Sequence, residues 1–584
     1  MVRSAAEKGP TPTTPEAAAA SLFSRRQRGA AARLRRAGFA LGTVILAAAT
    51  GEPALAFHHL RQSASVPLRD GHVLAADVFL PAASGRWPVI LIQTPYNKQA
   101  FLPVFLPDND DDPLFKNQEF AFVVTDWRGF YASADAAVAG YNRGLDGYDT
   151  VEWIAGQSWC DGNVGTWGPS ALAVIQFSTA AQRPPHLRAS VPIVGHPRDL
   201  FELYYPGGVY ARNKNTFVAG HFGTGSTVTD HPVKDALWLA VEASGVQASD
   251  IDVPMLHISG WYDHETAISM QTASDIQAGG GPNARGRQKV LVGPWSHGTA
   301  GKGALGQSSV PAAAGESSRQ AVAFFDFTLR GVANGWQQRP MLRTFRINEA
   351  FRDANTWPPT VAQSRRMFLR RDGSLDPTPG ATDSEDLVFT SDPSNPVPTL
   401  FGAILIETSA TQGPGDLAPI ERRPDVLVFT TEPVMAPLHI EGTPTVQVWM
   451  ASSAVDADIA LRLTEVLPDG SSMLLVDGIR RASLRDSLET RVLLQPGAVC
   501  LVPVELPPVA VTIAPGHRLR VDLAASNYDR FDVNMQDGSS LSDGAGARAV
   551  VAEVRILLGG EHASVLELPV VIEGRVRRHL SRPR

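Results

Sequence analysis

The sequence has almost no cysteine, no apolar run long enough to cross a membrane and no excess of positive charge, and each shortage excludes something. With only Cys160 and Cys500 in 584 residues, a disulfide framework is ruled out, and the two are read as separate thiols. The uncharged apolar stretch from Ala37 to Ala49 falls short of the ~20 residues a spanning helix needs. The formal charge is -7, with acids and bases interspersed, so no basic face for nucleic acid is expected. No repeat of fixed period is visible. A chain of this length exceeds what one hydrophobic core supports, so two or three units are expected.

The N-terminus carries a signal of its own. Arg25, Arg26, Arg28, Arg33, Arg35 and Arg36 precede the apolar stretch, and Ala54-Leu55-Ala56 follows it as a small-x-small cleavage site. Residues 1–56 therefore read as a disordered leader with an export signal, and Arg35-Arg36 resembles a twin-arginine element. The mature protein is expected in the periplasm or outside the cell, without stable membrane association after cleavage.

From residue 57 to 340 the chain alternates apolar, β-branched runs with helix-like segments. Pro88 to Gln93, Phe120 to Thr125, Asn163 to Trp167, Ala189 to Val194, Val253 to Ser259 and Lys289 to Val292 read as strands apolar on both faces. Such strands belong in a mostly parallel sheet covered by helices. The aromatic and glycine-rich stretch at about 196–252 breaks the alternation and reads as a short cap inserted over the strand ends. Ser317 to Arg330 reads as a helix started by Ser317 or Ser318 and ended by Gly331. From 341 to 584, short alternating strands such as Thr445 to Met450, Asp458 to Leu463 and Leu519 to Leu523, separated by Pro-Gly and Asp-Gly turns, predict a β-sandwich of jelly-roll type. These patterns predict an α/β domain followed by a C-terminal β-sandwich.

Three residues follow strand-like runs in an order that carries chemistry: Ser170 in Gly168-Pro169-Ser170-Ala171-Leu172, Asp263 in Gly260-Trp261-Tyr262-Asp263, and His297 in Gly293-Pro294-Trp295-Ser296-His297. Nucleophile, acid, histidine is the α/β-hydrolase order. A hydroxyl becomes a nucleophile when an imidazole takes its proton, and a carboxylate fixes the tautomer of that imidazole. Gly168 allows the sharp turn at the serine, but Leu172 and Ala173 stand where a second glycine is usual. Two metal readings fail. His264-Glu265 opens like a zinc-protease helix, yet Ile268 holds the place of the second histidine. Asp108, Asp110, Asp112 and Glu119 imitate a calcium loop, yet Pro113 stands where the turn needs glycine.

With these residues placed, the chain resembles the CocE/NonD hydrolases, a family of ester hydrolases, acylases and Xaa-Pro dipeptidyl-peptidases. The matching stretches include Val66 to Gly71, Thr94 to Lys98, Trp127-Arg128-Gly129, Trp159 to Gly165, the trio itself, Asp392 to Pro398, Arg423 to Leu427 and Ser526 to Asp532. The resemblance implies Ser170 as nucleophile, His297 as general base and then acid, and Asp263 as its orienting partner. It implies an oxyanion hole made by the Tyr96 hydroxyl and the Ala171 N-H. Arg128, Asp149, Asp161 and Asn163 are assigned to scaffold hydrogen bonding. Trp167, Trp261 and Glu265 are expected to line the substrate site. The family's amino-ester hydrolases hold a substrate ammonium in a carboxylate cluster; Glu265 fits one member, and no second is evident.

The expected function is serine hydrolysis of a small-molecule carboxylic ester or amide through an acyl-enzyme, with no metal or cofactor; a homo-oligomer stays open. The alternatives are an Xaa-Pro dipeptidyl-peptidase or α-amino acid ester hydrolase, and a catalytically silent secreted binding protein.

Overall fold

The computed structural model describes residues 59–99, 112–359, 362–380, 386–539 and 547–572. The arginine-rich leader, and Asp108 and Asp110, lie outside the described residues.

The six apolar runs form the middle of a ten-stranded sheet. Its strands are β1 (Leu60–Pro67), β2 (Val73–Leu80), β3 (Trp87–Thr94), β4 (Ala121–Asp126), β5 (Cys160–Pro169), β6 (Leu187–Ile193), β7 (Leu256–Tyr262), β8 (Lys289–Ser296), β9 (Leu342–Phe345) and β10 (Phe351–Ala354). Their spatial order is β1-β2-β4-β3-β5-β6-β7-β8-β9-β10. Pairing is parallel from β4 to β9 and antiparallel at both edges. The sheet therefore takes in residues beyond the expected boundary at 340.

Burial on both faces explains the unbroken apolar runs. Ile90, Ile92, Phe122 and Val124 face a core shared with Phe324, Phe325 and Leu329 of helix α6 (Glu316–Arg330). Their neighbours Val89, Leu91, Ala121 and Val123 face the opposite core. That core holds residues of α1 (Arg143–Ala155), α2 (Ala171–Ala181) and α5 (Thr266–Gly279). Helix α6 departs from expectation at its start: Gly315, at φ 68°, precedes it, and Ser317 and Ser318 lie buried within its first turn. The Ser318 hydroxyl donates to Asp112 at 2.6 Å, so that serine is spent on a tertiary contact. The Glu316 carboxylate holds the helix start through Arg319 and Arg343, where negative charge suits the dipole.

Between β6 and β7 the chain leaves the sheet as a helical cap with α3 (Arg212–Phe222) and α4 (Ala236–Ser244). Its aromatics divide in role. Phe201, Tyr204, Tyr205, Tyr210 and Trp238 pack on one another, whereas Phe222 reaches Trp127 and, at the start of α2, Ala171 and Ile175.

Beyond β10 a nine-stranded and a four-stranded sheet enclose one core. Along Thr445–Ser452, Val446, Val448 and Met450 are buried while Thr445, Gln447 and Trp449 are half-buried, the alternation of a sheet with one face inward. Cys160 and Cys500 are both free. The sandwich grips the cap and the sheet: Asn213 accepts from the Leu405 and Ile406 N-H groups at 3.0 Å, and the Tyr262 hydroxyl donates to the Leu474 carbonyl at 3.1 Å. At Gly207, φ 58°, a Cβ would stand 1.8 Å from the Ile479 carbonyl oxygen. Gly207→Ala is therefore expected to destabilise the docked cap by about 3 kcal/mol through overpacking. Thermal unfolding checks this, and an unchanged midpoint would mean that the cap does not rest against the sandwich there.

Candidate active site

The serine, the acid and the histidine each leave the sheet at the carboxyl end of a parallel strand, where open α/β sheets place ligand chemistry. Ser170 links β5 to α2 at φ 58° and ψ -125°, a strained conformation that persists only when its surroundings enforce it. Two tight approaches enforce it. A Cβ on Gly168 would meet the Leu172 side chain at 2.5 Å, and a Cβ on Gly195 would meet the Ala173 Cβ at 2.4 Å. The glycine missing after the serine is thus supplied from the end of β6. Gln176 fastens the turn by donating to the Gly168 carbonyl at 3.1 Å.

Asp263 and His297 are brought together by a slip in strand register. Gly260 pairs with Gly293, but Tyr262 pairs with Ser296, one residue further along β8. The next residues on the two strands are Asp263 and His297, and His297 Nδ1 lies 2.6 Å from Asp263 Oδ2. Only glycine fits at 260, because a Cβ there would stand 2.2 Å from the Trp295 carbonyl oxygen. The other carboxylate oxygen, Oδ1, accepts from the Glu265 N-H at 2.7 Å, which fixes the carboxylate plane. Ser296 is held in turn by the sandwich, its hydroxyl 2.5 Å from Gln412 Oε1.

Burial opposes a charged His297, but the charge and hydrogen bond of Asp263 outweigh it, with Glu265 adding, so the imidazole pKa lies above its ordinary 6.5. Its Nε2 is buried and has no hydrogen-bond partner among the described residues. The Ser170 side chain is hydrogen-bonded to Tyr96. Burial drives the Tyr96 phenol pKa up, against the effect of the Ser170 hydrogen bond, so at neutral pH the hydroxyl keeps its proton and can donate. Lys98 pins the Tyr96 loop: its N-H donates to Asp126 at 2.7 Å and its ammonium binds the Asp77 carboxylate at 2.8 Å. Ala171 N-H heads α2, where no helical carbonyl is available to it.

The residues expected to line the substrate site lie in three settings. Trp167 is packed in the sheet core, edge-on to Phe115 at 5.0 Å. Trp261 is packed beside Met270, Val290 and Leu342, and its N-H donates to the Phe345 carbonyl at 2.6 Å. Glu265 is buried between two histidines, with His196 Nδ1 at 3.0 Å and His264 Nε2 at 3.5 Å. Burial alone would raise the Glu265 pKa, but the His196 charge pulls it well below the carboxylate range. The scaffold assignments are visible in their contacts: Arg128 binds Asp146 and Asp70, and Asp149 binds Arg69.

Sequence reasoning missed Lys214 of α3, whose ammonium rests on the Tyr204 ring at 4.1 Å and whose charge bears on His297. Burial lowers its pKa to about 8, against the pull of Glu265 and Asp199. His196 and Gln412 were missed as well. A single lysine or glutamine in a cap or loop carries no periodic signal, and only the long-range contact reveals it. Asp263, His264 and His297 offer donor atoms within 4.8 Å of one another, but the nearest pair is the short Asp263-His297 hydrogen bond.

Known proteins resemble this chain in sequence and in fold. Residues 70–224 match the family model of X-Pro dipeptidyl-peptidase (S15 family), and residues 334–567 match the X-Pro dipeptidyl-peptidase C-terminal non-catalytic domain. A cocaine esterase of Rhodococcus sp. (strain MB1 Bresler) is 29% identical over 87% of this chain and 97% of its own. Two solved structures share the fold. An aminopeptidase from the marine sediment archaeon Thaumarchaeota archaeon has a TM-score of 0.75 at 21% identity, covering 89% of this chain and 98% of its own. An α-amino acid ester hydrolase has a TM-score of 0.72 at 21% identity, covering 90% and 99%.

The Asp263 pairing has a direct spectroscopic consequence. In an NMR titration His297 is expected to lose its proton above pH 6.5. In Asp263→Asn, where burial and the Lys214 charge remain to oppose the imidazolium, the midpoint is expected below 6.5. A midpoint unmoved by that substitution would show that the pairing does not set the basicity of the ring.

Proposed function

We propose that the chain is a serine hydrolase of the CocE/NonD type that cleaves an ester or amide, with Ser170, His297 and Asp263 as its catalytic residues. The supporting observation is the His297-Asp263 hydrogen bond at 2.6 Å, which leaves Nε2 of the ring buried and without a hydrogen-bond partner among the described residues. The Ser170 hydroxyl turns from Tyr96 to Nε2 as substrate enters and gives up its proton there. The serine oxygen then attacks the carbonyl carbon. Tyr96 OH and Ala171 N-H donate to the resulting oxyanion, and such preset donors act strongly because they need no reorganisation as charge develops. Collapse of the adduct breaks the bond to the alcohol or amine, which leaves with the proton from His297. Water repeats the sequence on the acyl-enzyme and releases the acid.

The substrate we assign is a small carboxylic ester, as the name of the Rhodococcus relative suggests. A dipeptidyl-peptidase or aminoacyl esterase would need free carboxylates for the substrate amine. Here Glu265 is already bonded to His196, and Asp199 to Tyr204. We also propose export, on the arginine-rich and apolar leader ending at Ala54-Leu55-Ala56, and a jelly-roll connection for the sandwich.

A fluorophosphonate probe is expected to label Ser170 in the wild type and to leave Ser170→Ala unlabelled. On p-nitrophenyl esters, Ser170→Ala is expected to lower kcat by about 10⁶-fold and Tyr96→Phe by about 10²-fold. A folded, unlabelled wild type would instead favour a binding protein with a silent site. For export, N-terminal sequencing of protein recovered outside the cytoplasm is expected to start after Ala56. Full-length protein retained in the cytoplasm would overturn it.

A further inference from the structure

A line of contacts runs from His297 into the cap. The His264 ring stacks on His297 at 4.8 Å, and its Nε2 lies 3.5 Å from Glu265. His196 bridges Glu265 at 3.0 Å and Asp199 at 3.7 Å. The Tyr204 hydroxyl donates to Asp199 at 2.8 Å, and the Tyr204 ring carries the Lys214 ammonium at 4.1 Å. Both carboxylates in this line thus touch a resident donor. The Lys214 ammonium, by contrast, makes no hydrogen bond and no ion pair among the described residues, although Glu265 and Asp199 draw on it through space.

We infer that Lys214 makes the substrate site charge-selective: it is a specificity-determining residue that admits acyl groups without a charged amine and turns away esters of α-amino acids. The inference rests on the hydrolase reading above. An α-ammonium sits two bonds from the carbonyl carbon that Ser170 must reach, so it cannot leave the neighbourhood of His297. There it would meet a like charge with no direct counter-ion, on a half-buried lysine where screening by solvent is reduced. The carboxylates that could compensate are already bonded to His196 and Tyr204. An uncharged acyl group meets no such opposition. The groups whose charge bears on Lys214 are Glu265 and Asp199, and its own charge bears on His297; its aromatic neighbour is Tyr204.

The test compares p-nitrophenyl butanoate with p-nitrophenyl 2-aminobutanoate at pH 6.5, using wild type, Lys214→Met and Lys214→Arg. The ratio of kcat/KM values for the two esters is read in each protein, and dividing one protein's ratio by another's cancels the intrinsic reactivity of the esters. Lys214→Met is expected to shift the ratio toward the amino ester by at least tenfold. Lys214→Arg, which keeps the charge, is expected to hold the wild-type ratio. Turnover of butanoate by Lys214→Met shows that the variant is folded. An unchanged ratio in Lys214→Met, or a shift of equal size in Lys214→Arg, overturns the inference while leaving the hydrolase reading intact. If wild type turns over neither ester, the hydrolase reading fails and the inference falls with it.

Discussion

The single constraint on which the site depends is the register between two neighbouring parallel strands. Pairing that begins in step at Leu256 and Lys289 slips by one residue before Tyr262 and Ser296, and that slip sets Asp263 opposite His297. The slip is possible because residue 260 has no side chain: the Trp295 carbonyl occupies the space a Cβ would need. A backbone irregularity beside a reactive centre re-aims side chains that a regular ladder would point elsewhere. The basicity of the imidazole, and the availability of its far nitrogen, both follow from this placement.

The strands were legible because burial on both faces demands continuous apolar, β-branched runs, and six such runs matched the central strands to within a few residues. The serine, acid and histidine were legible for a related reason. Each stands just past such a run, so chain order and strand ends alone indicated where they would emerge. What was hidden depends on contacts between distant segments. Ala173 read as a departure from the usual turn, yet Gly195, twenty-two positions later, provides the space. Ser317 and Ser318 matched the local pattern of a helix start, but Asp112 captured Ser318 and a left-handed glycine took the position before the helix. Trp167 and Trp261 were expected to line the substrate site. Both rings lie in packed cores, Trp167 with Phe115 and Trp261 with Met270, Val290 and Leu342.

The cap combines two tasks in a short segment. Its cluster of Phe201, Tyr204, Tyr205, Tyr210 and Trp238 gives it a small core of its own, so α3 is held firmly enough to present Lys214 and Phe222 toward the strand ends. Tyr204 belongs to both tasks, with its ring in that core and under the ammonium and its hydroxyl on Asp199. Packing of the insertion and the electrostatics of the site are coupled through one side chain.

The hydrogen bond from Ser296 to Gln412 crosses from the strand that delivers His297 to the C-terminal sandwich. The C-terminal module thereby touches the loop that carries His297. A sandwich borrowed from a relative would have to bring a matching hydrogen-bond acceptor to that seam to keep this contact between the two halves.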